Sequence, residues 1–178
     1  MKKALSYIEN NKTADAAIMG GIKKGIDVQI IASGTCAKEF SVLNDYGMNI
    51  KVIGPHAGQA SALKMLRSSY TKGVSALLFQ SLYAAYQMGL DEEFLQYLEE
   101  TECPGFRESA QSRIMSSATH ARRRAQEMNE VTEMLSKYGD TSLSQATAEF
   151  FMELSRKDKL DKKSDNYKDL FKSLKKDC

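Results

Sequence analysis

The stretch GQASALKMLRSSYTKGVSALLFQSLYAAYQMG, from Gly58 to Gly89, decides the fold of this chain. It contains no proline, and its apolar residues recur every three or four positions, the spacing of a helix face. They are Leu63, Leu66, Tyr70, Val74, Leu77, Leu78, Ala84 and Met88. The stretch predicts one long helix, and its second half is apolar nearly all round, which predicts burial on several sides.

The first half of this predicted helix carries a polar stripe with the same spacing. Its members are Ser61, Lys64, Ser68, Lys72 and Ser75. Small hydroxyl groups with a lysine near the N-terminal end suit the wall of a cleft. The stripe also fits an ordinary solvated face, since most lysines are exposed. Spacing alone leaves both interpretations open.

Three short runs of apolar and β-branched residues precede the long helix. They lie at 14–19, 28–32 and 49–53, each bounded by Gly, Asp or Asn, and they predict three strands. A short helix is expected at 36–43, and another at 3–11. Three strands make a poor independent domain, so the sheet is expected to be incomplete.

Helices dominate the rest of the chain. A short helix is predicted from Asp91, a second long helix over 107–137, another after Thr141 or Ser142, and a terminal helix at 167–174. The terminal helix has an apolar i, i+3, i+4, i+7 pattern, which predicts that it docks on the core. Strands followed by a run of helices indicate two structural parts.

Composition and charge exclude several classes of function. The chain has 178 residues, of which 27% are charged, and a formal net charge of +2. This balance gives no basic footprint for nucleic acid or an anionic membrane, and no apolar run is long enough to cross a bilayer. Cys36, Cys103 and Cys178 lie far apart, which indicates reduced thiols in a cytoplasmic protein and no metal site.

Two glycines, Gly20 and Gly21, directly follow the first predicted strand. Glycines there let a ligand approach the backbone, whose N–H groups can bind an anion, and a tight turn explains them equally well. Gly20 and Gly25 have the spacing of a phosphate-binding loop, but Ile26 and Asp27 stand where that loop needs Lys and Ser or Thr. No G-x-G-x-x-G follows a strand, so the residues alone show no dinucleotide site.

The densest basic cluster lies in the second predicted long helix. It consists of His120, Arg122, Arg123 and Arg124. Arginine side chains can fork onto a carboxylate or a phosphate. Two glutamates, Glu127 and Glu130, lie within one turn, so ion pairs inside the helix also account for the cluster.

Three segments resemble the β-hydroxyacid dehydrogenase superfamily, which includes 3-hydroxyisobutyrate and 6-phosphogluconate dehydrogenases. They are DAAIMGG at 15–21, IIASG at 30–34 and GQASALKM at 58–65. The resemblance extends to about Leu135 and is strongest to phosphogluconate-dehydrogenase-like NAD-binding proteins. It implies a mainly α fold: an all-helical domain at 58–178, like the C-terminal domain of 6-phosphogluconate dehydrogenase, after a short α/β remnant of a Rossmann domain at 1–57.

The resemblance also implies roles for individual residues. Lys64 matches the catalytic lysine of the family, a general acid/base at the substrate hydroxyl during hydride transfer to NAD or NADP. Met19, Gly20 and Gly21 match the family's Ser-Gly-Gly substrate loop. Further implied substrate-binding residues are Ser68, His120, Arg123 and Arg124. The implied function is the oxidation of a small hydroxy acid, in an enzyme whose helical domain forms a homodimer.

The sequence departs from the family pattern in three motif positions and in extent. Ala60 replaces the motif's second glycine, Ser68 its asparagine, and Met19 the serine of the substrate loop. Because the glycine-rich Rossmann half is absent, the chain is expected to be the C-terminal portion of a split or truncated enzyme, inactive and without tight NAD(P) binding when alone. A separate chain carrying the nucleotide-binding half is an expected partner. The alternative is a noncatalytic helical dimerisation or binding module.

Overall fold

The computed structural model of the chain describes residues 12–158, 160 and 164–174, without the side chains of residues 22–24. The helix predicted at 3–11 and Cys178 lie outside these residues. The chain forms two compact units, Met1–Arg67 and Ser68–Cys178. The boundary between residues 57 and 58 divides a Rossmann remnant from a helical domain on the basis of the family resemblance, and it stays a prediction.

The first unit contains a three-stranded sheet of order β1-β2-β3, which confirms the predicted strands. The strands are β1 (Asp15–Ile18), β2 (Gln29–Ser33) and β3 (Asn49–Gly54). β1 runs antiparallel to β2, and β3 runs parallel to it. A 3-10 helix, Ile22–Asp27, joins β1 to β2, and α1 (Ala37–Phe40) with the 3-10 helix Ser41–Tyr46 joins β2 to β3.

Both faces of β2 are covered, because its side chains alternate between two apolar clusters. Ile30 and Ala32 are buried with residues of α1 and β3 on one face. Ile31 is buried with Ala17 and Ala60 on the other face, where Ala60 belongs to the first turn of the long helix. The sheet therefore holds the start of that helix in place.

Helices form the rest of the chain, which confirms the predicted mainly α fold. They are α2 (Gln59–Met88), α3 (Asp91–Thr101), α4 (Phe106–Thr119), α5 (Ala121–Leu135), α6 (Ser142–Ser155) and α7 (Tyr167–Leu174). The long helix α2 has the predicted extent of 30 residues. Gly89, at a φ of +74°, ends it in the left-handed conformation that glycine adopts at low cost.

The described residues of this chain do not themselves bury the second half of α2 on several sides, as its composition predicts. Phe79 and Leu82 are buried in the helical core, but Leu77 is 65% exposed and Met88 is 72% exposed. Tyr70, one helical repeat before Leu77, is 73% exposed. In the part of the chain that the structure describes, the core therefore covers one side of α2 and leaves an apolar stripe on another.

The second predicted long helix is wrong, because it breaks into α4 and α5 at His120. His120 has φ −113° and ψ 20°, outside the helical range. Just before the break, the Ser117 hydroxyl donates to the Arg113 carbonyl and the Thr119 hydroxyl donates to the Met115 carbonyl. Such back-bonding to the preceding turn bends helices, which gives a physical reason for this corner.

The predicted terminal helix is confirmed as α7, and it docks through aromatic rings. Phe171 is fully buried, with ring centroids 5.2 Å from Phe79, 5.0 Å from Tyr83 and 5.7 Å from Tyr167. The Tyr167 hydroxyl donates to the buried carboxylate of Asp91 over 2.7 Å. Burial, together with this hydrogen bond, raises the pKa of Tyr167. α7 is thus part of the helical core.

Candidate functional site

The carboxylate of Asp15, in β1, caps the N-terminus of α2. Asp15 accepts hydrogen bonds from the Ser61 amide at 3.0 Å and the Ser61 hydroxyl at 2.7 Å. The buried Ser33 hydroxyl donates to Asp15 over 3.3 Å and accepts the Ala60 amide over 3.0 Å. The first amides of a helix lack intrahelical partners and favour a negative charge. Two side chains from the sheet thus satisfy two of these amides, those of Ala60 and Ser61.

Lys64 lies one turn after Ala60 on α2, within the first unit. Met19 packs against the cluster of Ala17, Ile31 and Ala60. Because residues four apart share a helix face, Lys64 follows Ala60 on the side that faces this cluster. Lys64 is exposed, and it makes no hydrogen bond or ion pair with any residue that the structure describes. Its ammonium group is therefore available to a ligand.

The glycine pair directly follows Met19, whose amide donates to the Gln29 carbonyl over 2.8 Å. Gly20 and Gly21 are exposed. Gly21 has φ −81° and ψ 148°, an ordinary extended conformation, and a Cβ added to it would meet no atom within 4 Å. Neither backbone conformation nor packing of the described residues therefore requires glycine at position 21.

Within the second unit, Ser68 is hydrogen-bonded to Lys72, a residue of the polar stripe to which the sequence assigned no role of its own. Lys72 donates to the Ser68 hydroxyl over 2.9 Å, and its ammonium lies 2.9 Å from the Glu127 carboxylate. The Lys72 side chain is only 11% exposed. Ser75, further along the polar stripe, is buried as well. This end of the stripe is therefore a packed surface, whereas Lys64 at the other end is exposed.

The three predicted basic site residues have different surroundings. His120 is exposed at the corner between α4 and α5. Arg123 is 67% exposed, and its Nε lies 3.9 Å from Glu127, one turn further along α5. Arg124 is half-buried and bonds to the hydroxyls of Ser116 and Ser117. Arg123 and Glu127 form the ion pair within the helix that was one of the two interpretations of the basic cluster. Arg124 does not take part in this ion pair.

The structure adds residues that the sequence did not single out. Asp15 is 46 positions from its partner Ser61, so no local pattern could have paired them. Lys72 belonged to the polar stripe, but the stripe did not reveal its carboxylate partner. The sequence did not indicate that Ser116 and Ser117 contact Arg124, because it did not predict the corner between α4 and α5 that brings them together.

No helix in the described ranges is long and apolar enough to cross a membrane. In the same ranges, no group of three or more His, Cys, Asp or Glu side chains is arranged to hold a metal ion.

One known family is similar to the helical part of this chain, and one known protein is similar to most of the chain. The family described as a domain of unknown function, DUF1932, matches residues 85–154. An uncharacterised 28.5 kDa protein in the 7S RNA 5′ region of Methanothermus fervidus is 41% identical over 133 residues. The matched region is 75% of this chain and 52% of that protein.

Two solved structures share the fold. Conserved protein MTH1747, of unknown function, has a TM-score of 0.79 and 53% identity over 86% of this chain and 60% of that protein. The structure of MTH1747 is described as revealing structural similarity with 3-hydroxyacid dehydrogenases. A conserved hypothetical protein from Sinorhizobium meliloti 1021 has a TM-score of 0.76 and 32% identity over 93% of this chain and 57% of that protein.

This chain spans between 52% and 60% of the length of these three relatives. The similarity nevertheless includes both the sheet and the helices, since it extends over 86% and 93% of this chain in the two structures. This chain is thus similar in sequence and in fold to MTH1747, whose own structure is similar to 3-hydroxyacid dehydrogenases. This finding confirms the resemblance to the β-hydroxyacid dehydrogenase superfamily predicted from the motifs.

Proposed function

We propose that this chain is the C-terminal part of an NAD(P)-dependent oxidoreductase that oxidises the hydroxyl of a small hydroxy acid, with Lys64 as the general acid/base. The observation that carries this proposal is the placement of Lys64 on α2. The helix turn before it packs with Met19, the residue that leads into Gly20 and Gly21. The lysine and the substrate loop implied by the resemblance thus belong to one packed unit.

In the proposed reaction, this chain exchanges the proton and binds the substrate, and NAD or NADP accepts the hydride. Oxidation of a hydroxyl removes a hydride from its carbon and a proton from its oxygen. Lys64 exchanges the proton, the usual task of a positioned acid/base. Gly20 and Gly21 are exposed, and their amides are proposed to bind the carboxylate of the substrate. The open space beside Gly21 supports this role, because the bare backbone leaves room for a ligand.

The described residues of this chain do not fit a dinucleotide. β2 and β3 form the parallel pair, and the turn after β2 carries a single glycine, Gly34, before a helix of four residues. A dinucleotide site needs several glycines and a longer helix whose N-terminus meets the pyrophosphate. The N-terminus of α2 already binds the carboxylate of Asp15. NAD or NADP is therefore proposed to bind to a nucleotide-binding half outside the described residues. In a two-chain form of the enzyme, a separate chain supplies that half.

The test is to co-express this chain with a nucleotide-binding partner chain, sought first in the neighbouring reading frame. We expect the two-chain enzyme to reduce NAD or NADP with a member of a panel of hydroxy acids. We expect this chain alone to show no saturable NAD(P)H binding in a fluorescence titration, since its turns lack the glycine fingerprint. Micromolar binding by this chain alone would contradict the proposed division of roles.

The chain is further proposed to form a homodimer through the apolar stripe on α2. Tyr70, Leu77 and Met88 are 73%, 65% and 72% exposed. They lie seven and eleven residues apart, or about two and three helical turns, so they share one side of the helix. Large exposed apolar patches commonly mark interaction surfaces. This stripe also supports the second candidate function, a noncatalytic dimerisation or binding module.

Replacing Leu77 by glutamate is expected to convert the proposed dimer to a monomer, because a charge in an apolar interface loses its hydration. Light scattering after size-exclusion chromatography measures the mass directly. Tyr97→Glu, also at an exposed aromatic position but on α3, is the matched control and should leave the mass unchanged. A wild-type chain that is monomeric at high concentration would contradict the proposal. A dimer that shows no redox turnover even when co-expressed with the nucleotide-binding chain would favour the noncatalytic module.

The proposal includes a cytoplasmic location. Cys36 and Cys103, the cysteines in the described part of the chain, are both free. Free thiols are typical of a reducing compartment, which supports this location.

A further inference from the structure

The outer edge of β3 is covered by the chain itself at Ile50. The Asn44 side chain donates to the Ile50 carbonyl over 2.9 Å and accepts the Ile50 amide over 2.7 Å. Both backbone groups of Ile50 therefore point away from β2 and meet a side-chain amide, as they would meet a neighbouring strand. Lysines also protect edge strands, and β3 carries the exposed Lys51. This edge of the sheet is thus protected.

The outer edge of β1 has no such cover among the described residues. The Met19 amide donates to Gln29, which lies opposite it when the register of β1 and β2 is continued. Hydrogen-bonded pairs recur at every second residue of an antiparallel ladder, so Ala17 also faces β2. Ala16 and Ile18 therefore turn their N–H and C=O groups away from β2. These outward groups, here called the β1 edge, have no hydrogen-bond partner in the part of the chain that the structure describes.

The sheet face beside the β1 edge is also uncovered by the described residues. Ala16 and Ile18 are exposed, and Ile18 is 47% exposed. Their opposite residues on β2, Ala32 and Ile30, are buried with Ala37 of α1. Directly opposite residues of an antiparallel pair share a face of the sheet. The layer that covers this face thus extends over β2 but not over β1.

Open backbone groups beside apolar side chains are the features of a strand-addition site. An added strand gains main-chain hydrogen bonds along the edge, and neighbouring side chains give specificity. β1 has neither a lysine nor a proline, the residues that commonly block an exposed edge. Its one charge, on Asp15, is bound to Ser61 on the opposite face. The two edges of this sheet therefore differ: β3 is protected and β1 is open.

We propose that the β1 edge binds a strand of the nucleotide-binding half, which continues the sheet of the first unit. The identity of this partner rests on the proposed function. Nucleotide-binding domains are sheets with helices on both faces, so such a half supplies a strand for the edge and a helix to cover Ala16 and Ile18. The length of the relatives supports this occupant, since the matched regions are only 52% to 60% of those proteins.

The test follows amide hydrogen exchange by NMR in this chain alone and in its complex with the nucleotide-binding chain. In this chain alone, we expect the amides of Ala16 and Ile18 to exchange nearly as fast as in an unstructured peptide. The Ala17 and Ile50 amides are internal controls and should be protected, because β2 and Asn44 bind them. In the complex, protection of Ala16 and Ile18 should rise by at least about a hundredfold.

Two exchange results would overturn the proposal. The first is unchanged exchange of the Ala16 and Ile18 amides in the complex. The second is protection of these amides in this chain alone, which would show that the β1 edge is already paired. Protection that grows with protein concentration would assign that pairing to a second copy, and protection independent of concentration would assign it to a segment of the same chain.

Ile18→Lys is the variant that blocks the β1 edge, because a lysine opposes strand addition and the burial of this side chain. Its affinity for the nucleotide-binding chain, measured by calorimetry, should fall by at least about tenfold. Val42→Lys is the matched control, since Val42 is 55% exposed and lies in the 3-10 helix Ser41–Tyr46. It should change the affinity less than about twofold, and equal losses in both variants would overturn the proposal.

A second variant covers the case in which Ile18→Lys fails to fold. Ala16→Pro removes an outward N–H group and leaves the ladder with β2 intact, as prolines do on edge strands. Wild-type affinity in Ala16→Pro would overturn the proposed strand addition.

The partner in these experiments is the nucleotide-binding chain of the functional test. Where the neighbouring reading frame encodes none, it is the part of MTH1747 that this chain does not match, co-expressed as a separate chain; failure to associate would overturn the proposal. A complex that protects Ala16 and Ile18 without turnover supports the β1 edge, and only the oxidoreductase proposal fails. Turnover while both amides stay unprotected overturns the β1 edge and leaves the oxidoreductase proposal standing.

Discussion

Replacing Lys64 by alanine is expected to lower kcat of the two-chain enzyme by about 10²- to 10⁴-fold, the usual contribution of a positioned acid or base. The fold should not change, because Lys64 is exposed and makes no hydrogen bond or ion pair with the described residues. Surface substitutions of this kind usually change stability by less than about 0.5 kcal/mol. Steady-state rates at saturating hydroxy acid, with thermal unfolding in parallel, measure both quantities.

Two variants separate proton exchange from charge. Lys64→Arg keeps the positive charge, but a guanidinium stays protonated in proteins and cannot take up and release the proton, so a comparable loss of kcat is expected. Lys51→Ala removes an exposed lysine of the same unit, on β3, and should leave kcat unchanged. Wild-type turnover in Lys64→Ala would remove Lys64 from the proposed role.

Replacing Phe171 by alanine is expected to lower the free energy of unfolding by about 3–5 kcal/mol, the range for a large buried aromatic residue. Phe171 is fully buried, and its ring meets those of Phe79, Tyr83 and Tyr167 at 5.0 to 5.7 Å. Edge-to-face pairs add to the area effect, and the total is a large part of the stability of a typical domain. Urea unfolding followed by circular dichroism measures the change.

Neighbouring substitutions test whether the loss comes from packing. Lys172→Ala changes the next residue of α7, which is exposed, and should cost less than about 0.5 kcal/mol. Phe171→Leu keeps much of the apolar volume and should lie between the two. A loss below about 1 kcal/mol in Phe171→Ala would contradict the docking of α7 in the core.

Local patterns predicted much of this fold. The long helix was readable because Gly58 and Gly89 bound a stretch with unbroken helical spacing. The terminal helix was readable from Tyr167, Leu170 and Phe171, whose spacing places them on one face and whose side chains are buried. Both helices could be predicted for the same reason: the spacing of the apolar residues shows which face of a helix packs against a core.

Other features were not readable from the pattern of apolar residues. The corner at His120 has no glycine or proline, and the alanine stripe continues through it, so this pattern does not mark the break. The exposure of Leu77 was missed because periodicity shows which side of a helix is apolar but not whether the same chain covers it. The site residues themselves came from resemblance, since a lysine in a polar stripe fits a cleft and a solvated surface equally.

Asp15 fixes the position of β1 relative to the N-terminus of α2 within the first unit. The strand that ends in the Met19 loop and the helix that presents Lys64 are clamped together through its two oxygens and the Ser33 hydroxyl. Loop and lysine consequently keep their mutual register. An engineer seeking a new substrate preference could substitute Gly20 and Gly21, provided that the clamp and the packed Met19 side chain are left untouched.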